Sequence, residues 1–364
     1  MSDGFSWKIK DDTLEEMIKE KKEMGFETKS WEEWFDELFR KPEKRNTSNI
    51  IEEVFQKKNF EKWYDIWIKN FALNLEHIWN GKSAKEISNE RNNRKAKMSA
   101  IVIGRGPTLT EHKHLERLLK SNYSGTIVCC DGALKSVLNS GITPEKFEDF
   151  FVISVDAQDS IKDFYDDPLV TKYGDKIKAI FSTTISPLTL SNAKKNGLEI
   201  FWLHALFDYN RGKTSFNYIA SLMTRTKNHS SGLPAIQTGG NVGTSGWIIS
   251  WSILKCSPIA LLGIDHAYPV NTSWETINDY HKLPDDIDKN SEIFKKAYPI
   301  IHNPDFNCDC IQDPVFQYYS NALKEFIPLA PNWVKTINAT EGGAIFGKGI
   351  HSMSFKKFLE IYRN

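Results

Sequence analysis

The sequence has no excess of charge of either sign, few cysteines and no long apolar run. Its 364 residues include 47 Lys and Arg against 47 Asp and Glu, a balance that argues against a general binder of nucleic acid or other polyanions. Five cysteines are too sparse for a disulfide scaffold. No apolar stretch approaches the roughly 20 residues that span a bilayer, and the acidic, polar start does not resemble a signal peptide. We therefore expect a cytoplasmic protein with reduced thiols and neither membrane nor nucleic acid as a partner.

Glycine and proline are also scarce in residues 1–98, a stretch that holds six of the eleven tryptophans. Shorter amphipathic patterns at 14–18 and 31–39 predict two helices, and spacings of three and four predict a longer one with a wide aromatic face. The members of that face are Phe60, Trp63, Tyr64, Trp67, Ile68, Phe71, Leu75, Ile78 and Trp79. We interpret 1–98 as a helical N-terminal region. The polar segment Ser83 to Lys97 fits a helix end, a surface for phosphate or, favoured here, a solvated linker.

From residue 99 onward the pattern changes to short apolar runs separated by glycine-containing turns and amphipathic stretches. Six runs read as buried strands: SAIVIG, TIVCCD, FFVISVD, IKAIFST, LEIFWLH and PIALLGID. Their alternation with helices, including His114 to Leu119 and Ala133 to Leu138, predicts a Rossmann-like α/β domain over 99–364. Such a domain has a mostly parallel sheet with helices on both faces. Ligands bind beyond the carboxyl ends of such strands, so the turns there are the candidate site.

The turn after the first run is Gly104-Arg105-Gly106-Pro107-Thr108. A strand, a glycine turn and a helix can present backbone N–H groups to a phosphate, and Arg105 would add a charged fork. The turn matches neither G-x-G-x-x-G nor the P-loop pattern, and a plain tight turn is the alternative. His112 and His114, which follow it, are expected to face solvent, with contact to a bound phosphate as the alternative.

Carboxylates close the next two runs. Asp131-Gly132 ends the second, and Asp156 ends the third and is followed by Gln158. Carboxylates at this edge of a sheet can accept hydrogen bonds from a ribose or base, or hold a metal. An aspartate that caps the next helix is the structural alternative for Asp131.

A glycine-rich run opens a helix further along the chain. Its candidate phosphate or carboxylate contacts are Gly239, Gly240, Asn241, Gly243, Thr244 and Ser245. The following strand delivers Asp265, His266 and Tyr268 to the same edge, although a packed histidine is the alternative for His266. A last polar turn contains Glu341.

Five of these motifs, GRGPTL, CDGAL…GITP, SVDAQ, TGGNVGTSG and PIALLGIDHAY, resemble in order the MptE-like family, also called the motility accessory factor (Maf) domain family of flagellin glycosylation. The resemblance covers Met98 to Pro269 and the later NATEGGAIFG stretch. It implies one of two activities. One is an ATP-dependent 6-hydroxymethyl-7,8-dihydropterin diphosphokinase. The other is a sialyltransferase-like transfer of nonulosonic acids from CMP-activated sugars.

Two departures favour the glycosyltransferase. The kinases carry Asp-x-Asp where this chain has Asp156-Ala157-Gln158, so the second carboxylate is missing unless Asp159 serves. Their His-Ala-His-Gly-Asp-Asn type segment has no counterpart here. In the favoured hypothesis the Gly104–Thr108 and Gly239–Ser245 turns hold the donor phosphate. Asp131, Asp156 and Gln158 then contact donor or acceptor, and His266 or Asp265 is the acid or base.

Other assignments stay open. Glu341 and Tyr268 are further substrate candidates, and Asp156 is also a candidate catalytic residue. Asp131 and Asp156 would hold Mg²⁺ in the diphosphokinase alternative, and a non-catalytic nucleotide-binding module is a third hypothesis. The acceptor is a small molecule, a glycan or a protein, and the chain is a candidate homo-oligomer.

Overall fold

The computed structural model describes residues 49–92, 97–208, 212–226, 230–281, 289–290 and 292–363. The helices predicted at 14–18 and 31–39 lie outside the described residues. The long aromatic helix is confirmed as α1 (Asn49–Trp79). Phe71 and Ile78 of its predicted stripe are fully buried, whereas Trp79 is 42% exposed, so the buried face is narrower than the aromatic pattern.

Ten strands form one parallel sheet, and all six predicted strands are among them. These six are β2 (Ala100–Ile103), β3 (Thr126–Cys130), β4 (Phe150–Ser154), β5 (Lys178–Ser182), β6 (Glu199–Leu206) and β8 (Ile259–Leu262). The sheet also contains β1 (Lys82–Ser83), β7 (Ala235–Gln237), β12 (Thr336–Asn338) and β13 (Ile350–Ser352). The order is β1-β6-β5-β4-β3-β2-β8-β12-β13, with β7 paired to β6. The predicted α/β class is confirmed.

Helices alternate with the strands along the chain. Before β6 they are α2 (Ala84–Asn92), α3 (Thr108–Glu111), α4 (His114–Leu119), α5 (Leu134–Asn139), α6 (Pro168–Tyr173) and α7 (Pro187–Lys195). After it come α8 (Phe216–Met223), α9 (Val242–Ser252), α10 (Trp274–His281), α11 (Glu292–Ala297), α12 (Pro314–Phe326) and α13 (Phe355–Ile361). A separate antiparallel sheet contains β9 (Tyr268–Pro269), β10 (Ile300–Asn303) and β11 (Cys308–Ile311). No helix among the described residues has the length and apolar character needed to cross a bilayer.

Two hydrophobic clusters sandwich the sheet. Ile101 and Ile103 of β2 belong to one cluster, and Ala100 and Val102 belong to the other. Successive side chains of a strand point to opposite faces, so a strand covered on both faces must be apolar at every position. This is why the predicted strands are continuous apolar runs rather than alternating ones.

The polar segment at 83–97 is not a solvated linker over the part the structure describes. Lys82–Ser83 pairs in parallel with β6, and residues 84–92 form α2. Arg91 is buried, forms an ion pair with Asp149 and donates from Nη1 to the carbonyl oxygen of Leu254 at 3.1 Å. The sheet therefore begins before residue 98, while the division into domains at 98/99 stays a prediction.

Arg91→Ala should destabilise the fold by about 3–5 kcal/mol, because it leaves the Asp149 carboxylate partly buried without its counter-charge. Urea unfolding of the wild type and variant measures the difference. Lys176→Ala is the matched control, since Lys176 pairs with Glu145 at 2.7 Å on the surface. The control should unfold like the wild type. Equal effects of the two substitutions would contradict an anchoring role for Arg91.

Candidate functional site

The candidate site lies at the carboxyl edge where the sheet reverses its order. From β2 the chain proceeds through β3, β4, β5 and β6 on one side, and β8, β12 and β13 lie on the other. The crevice between β2 and β8 is thus the topological switch point, the place where open α/β sheets bind ligands. The loop after β2 carries Gly104–Thr108, and the loop after β8 carries Asp265 and His266.

Close packing of these two loops explains both glycines of the first turn. The Gly104 N–H donates to the carbonyl oxygen of Leu262 at 2.8 Å, and the Gly106 N–H donates to that of Gly263 at 2.7 Å. A Cβ on Gly104 would lie 2.4 Å from the Gly263 oxygen. The expectation that these two amides hold a phosphate is therefore corrected, because both are already bonded. The side chain of Arg105 in this turn is exposed, and its contact with a ligand stays a prediction.

Asp131 is held inside the site and does not cap a helix. One carboxylate oxygen accepts from the Gly132 N–H at 2.7 Å, and the other accepts from the Ser154 hydroxyl at 2.6 Å. The Ser154 oxygen lies 2.8 Å from the hydroxyl of buried Tyr165. Burial raises the pKa of Asp131 to about 6, although these two hydrogen bonds oppose the shift. Both carboxylate oxygens are thus occupied by the protein itself.

Asp156 is similarly turned towards its own loop. Its Oδ1 accepts from the Gln158 N–H at 3.0 Å, and its Oδ2 accepts from the Gln158 side-chain amide at 3.3 Å. Burial raises the pKa of Asp156, and these hydrogen bonds oppose the shift. Gln158 occupies the position where the kinases of the resemblance have a second carboxylate. In this chain it donates hydrogen bonds to the carboxylate of Asp156.

Arg105 lies close enough to both carboxylates to act on them electrostatically. Its guanidinium lies over the ring of Phe164, 5.6 Å from the centroid. A Cβ on Gly132 would lie 3.0 Å from Arg105 Cδ, so the arginine crosses the start of the turn after β3. Burial raises the pKa of Asp131 and of Asp156, and the positive charge of Arg105 opposes that shift at both residues. The three groups therefore influence one another electrostatically.

The glycine-rich run forms the start of α9 beneath this crevice. Asn241 caps the helix, because its Oδ1 accepts from the Thr244 N–H at 2.8 Å, and the Ser245 hydroxyl donates to the Asn241 carbonyl oxygen at 2.8 Å. A Cβ on Gly243 would lie 3.1 Å from Ile264, which precedes Asp265. The polar side chains of the run therefore build the helix start.

Tyrosines of α12 restrict the same run from the other side. A Cβ on Gly240 would lie 2.4 Å from a ring carbon of Tyr318 and 2.9 Å from one of Tyr319, so only glycine fits between the rings and the loop. Gly239 packs similarly, since its Cβ would lie 2.7 Å from Thr244. Anion binding by this run stays a prediction.

Asp265 is buried directly under the first turn. A Cβ on Gly106 would lie 1.6 Å from Asp265 Oδ2, and the carboxylate is 4% exposed. Neither oxygen makes a well-formed hydrogen bond to a described residue. The hydroxyl and N–H of Thr108 lie near the carboxylate and lower its pKa, which opposes the effect of burial. Burial raises the pKa of Asp265 to about 7. A carboxyl group that titrates near neutral pH is suited to proton transfer.

His266 is packed, in agreement with the structural alternative. Its backbone is left-handed at φ +46°, its ring lies 5.8 Å from that of Tyr319, and neither ring nitrogen has a partner among the described residues. Burial lowers the pKa of His266 to about 3, so the imidazole is neutral at physiological pH. Of the two candidate bases, Asp265 has the better-matched pKa.

Tyr268 and Glu341 have structural partners. The Tyr268 hydroxyl donates to Asp313 at 3.1 Å, and Glu341 Oε2 lies 3.0 Å from both His114 Nε2 and Arg117 Nη1. His114 is fully buried, so the expectation that it faces solvent is wrong. Glu341 nevertheless borders a groove of about 650 Å³ between α4 and α13, away from Asp131 and Asp156.

The predicted metal ligands, Asp131 and Asp156, already accept hydrogen bonds from the protein. Two carboxylates, Asp131 and Asp156, converge, but Asp131 has both oxygens engaged and Gln158 donates to both oxygens of Asp156. Over the described part of the chain, no group of three or more His, Cys, Asp or Glu side chains is placed to bind a cation. The predicted Mg²⁺ ligands of the diphosphokinase alternative are therefore arranged as hydrogen-bond acceptors of their own loops.

A family model described as 6-hydroxymethylpterin diphosphokinase MptE-like matches residues 69–271, more than half of the chain. The chain belongs to the MptE-like family. The match begins within α1, so about the last third of that helix lies inside the family region. It also includes every predicted site residue except Glu341.

Among solved structures, this MptE-like chain is similar to one described as a Maf glycosyltransferase from Magnetospirillum magneticum AMB-1. The two are 12% identical with a TM-score of 0.45, and the match covers 75% of this chain and 39% of that one. The chain thus corresponds to about two-fifths of that protein. No curated protein matches the sequence.

Asp265→Asn should stabilise the protein above pH 7. Because folding raises the pKa of Asp265 from 3.8 to about 7, its contribution to stability is largest below pH 4 and is lost as the pH rises through 7. Asparagine does not ionise, so the variant does not lose this stability. Its free energy of unfolding at pH 8 should exceed that of the wild type by about 1–4 kcal/mol, at about 1.4 kcal/mol per pKa unit.

Urea unfolding of both proteins between pH 4 and pH 8.5 measures this difference. Asp163→Asn, which changes an exposed carboxylate, is the matched control and should follow the wild type at every pH. A constant difference between Asp265→Asn and the wild type across the range would contradict a raised pKa at Asp265.

Proposed function

We propose that this MptE-like protein is a nucleotide-dependent transferase of the sialyltransferase-like kind, which uses a CMP-activated sugar. The observation that carries the proposal is the arrangement of Arg105 with Asp131 and Asp156 at the switch point. The exposed guanidinium of Arg105 lies over the Phe164 ring, and the neighbouring carboxylates are held by hydrogen bonds from the protein. This arrangement supplies positive charge without a divalent cation.

The proposed reaction needs stabilisation of a departing nucleotide. An acceptor hydroxyl attacks the anomeric carbon of the sugar, the bond from that carbon to the phosphate oxygen breaks, and CMP leaves with the electron pair. Negative charge then grows on the phosphate, and a guanidinium such as that of Arg105 binds phosphate oxygens in a fork. Asp131 and Asp156 would accept hydrogen bonds from ribose or base.

Asp265 is the proposed general base for the acceptor hydroxyl. Its carboxylate lies under the Gly104–Thr108 turn, and a pKa of about 7 lets it be ionised before attack and protonated afterwards. Neutral, buried His266 would contribute packing beside Asp265. The acceptor class and self-association stay predictions.

An ATP-dependent diphosphokinase is the second candidate, favoured by the description of the family model. It would use the same crevice with Mg²⁺ between the carboxylates and the triphosphate. Gln158 argues against it, because an amide stands where the kinases of the resemblance carry a second carboxylate for Mg²⁺.

A thermal-shift panel with CMP, CDP, CTP, AMP, ADP and ATP, each with and without Mg²⁺, tests the proposal. We expect the cytidine nucleotides to raise the Tm without a need for metal, since a ligand at 100 times its Kd stabilises by about 2.7 kcal/mol. Arg105→Ala should abolish the shift, whereas Lys172→Ala, which removes an exposed charge elsewhere, should preserve it.

Two results would contradict the proposal. A shift that is selective for adenine nucleotides and requires Mg²⁺ would favour the diphosphokinase. No shift with any nucleotide would favour a module without transferase activity.

A further inference from the structure

Two asparagines stand on the buried face of the aromatic helix α1. Asn70 and Asn74 are one turn apart, and their exposed fractions are 5% and 0%. Burying an amide in an apolar helix face is costly unless its hydrogen bonds are made. Their partners therefore indicate what this face of α1 is built to hold.

Both side chains donate to loops at the carboxyl edge of the sheet. Asn70 Nδ2 donates to the carbonyl oxygens of Ala157 at 3.0 Å and Thr184 at 3.1 Å. Asn74 Nδ2 donates to those of Thr183 at 3.1 Å and Ile185 at 2.9 Å. Asn70 thus bridges the loops after β4 and β5, whereas Asn74 contacts the loop after β5 alone.

The contact with Ala157 reaches the candidate site. Ala157 lies between Asp156 and Gln158, the two residues whose side chains and backbone are hydrogen-bonded to each other. An amide NH₂ has two hydrogens and can satisfy two carbonyl oxygens at once, which a hydroxyl or an apolar side chain of similar size cannot. Fixing the Ala157 carbonyl fixes the turn that aims the Asp156 carboxylate.

The helix that carries Asn70 is firmly seated. Phe71 is 1% exposed, and its ring lies 5.2 Å from that of Phe216 and 6.1 Å from that of His204. Ile78 is fully buried two turns further on. A contact from such a helix gives the loop after β4 a firmly held hydrogen-bond donor.

We propose that Asn70 is a positioning residue for Asp156, so that helix α1 is a working part of the ligand site and not only a cover for the sheet. This inference rests on the proposed function, since it assumes that Asp156 contacts the nucleotide or sugar. Asn70 itself touches no ligand and acts through the Ala157 carbonyl.

The test compares Asn70→Leu with Asn74→Leu in the full chain. Both substitutions replace a buried amide by an apolar side chain of similar size and leave two carbonyl oxygens without a donor, so both should lower the Tm. Only Asn70→Leu should also weaken binding of CMP, by tenfold or more in calorimetric titration at a temperature where both variants are folded. If Asn70→Leu does not fold, Asn70→Ser, which keeps one donor, takes its place with Asn74→Ser as control.

A second readout does not need a ligand. Amide hydrogen exchange at 155–159 should be faster in Asn70→Leu than in Asn74→Leu, because only the first substitution releases the Ala157 carbonyl. Equal losses of CMP affinity in the two variants, or equal exchange at 155–159, would overturn the inference. If wild-type protein binds no nucleotide, the proposed function fails, and the exchange comparison still decides whether Asn70 holds the loop.

Discussion

The direct backbone pairing of the loops after β2 and β8 is the constraint on which the site depends. Gly104 and Gly106 donate to Leu262 and Gly263, so the two loops approach as closely as two strands. That approach leaves no room for a Cβ at Gly106 and closes the turn over Asp265. Arg105, between the two glycines, is thereby directed outward. One geometric requirement thus buries the titratable carboxyl group and exposes the cation.

Burial then determines the electrostatics. Asp131, Asp156 and Asp265 all have raised pKa values, and desolvation is the largest cause for each. The carboxylates nearest Arg105 are stabilised as anions by hydrogen bonds from Gly132, Ser154 and Gln158. Asp265 lacks such well-formed bonds, and burial raises its pKa to about 7. The edge of the sheet therefore carries two kinds of buried carboxyl group, those with well-formed hydrogen bonds and one without, and buried carboxyl groups with raised pKa values are common at functional sites.

The sequence predicts the sheet well because a doubly covered parallel strand has a local signature, an apolar run, and all six such runs are strands. It also predicts which turns meet at the edge, since parallel strands deliver their carboxyl ends together. It does not predict the partners of buried polar groups. The polar residues around Arg91 and His114 in the sequence suggest exposed side chains, but both side chains are buried. Arg91 pairs with Asp149 and His114 pairs with Glu341, each distant in sequence.

Asn70 and Asn74 belong to the same class of hidden contacts, and they change how the N-terminal region is understood. From the sequence alone, the stripe of α1 is interpreted as a hydrophobic surface, and the two asparagines within it have no evident role. Their spacing of four residues places both on the buried face, which is the one sequence signal that could have identified them. A buried amide on an apolar face is retained where loop carbonyls need donors. Helix α1 therefore supplies hydrogen-bond donors to four loop carbonyl oxygens at the carboxyl edge of the sheet.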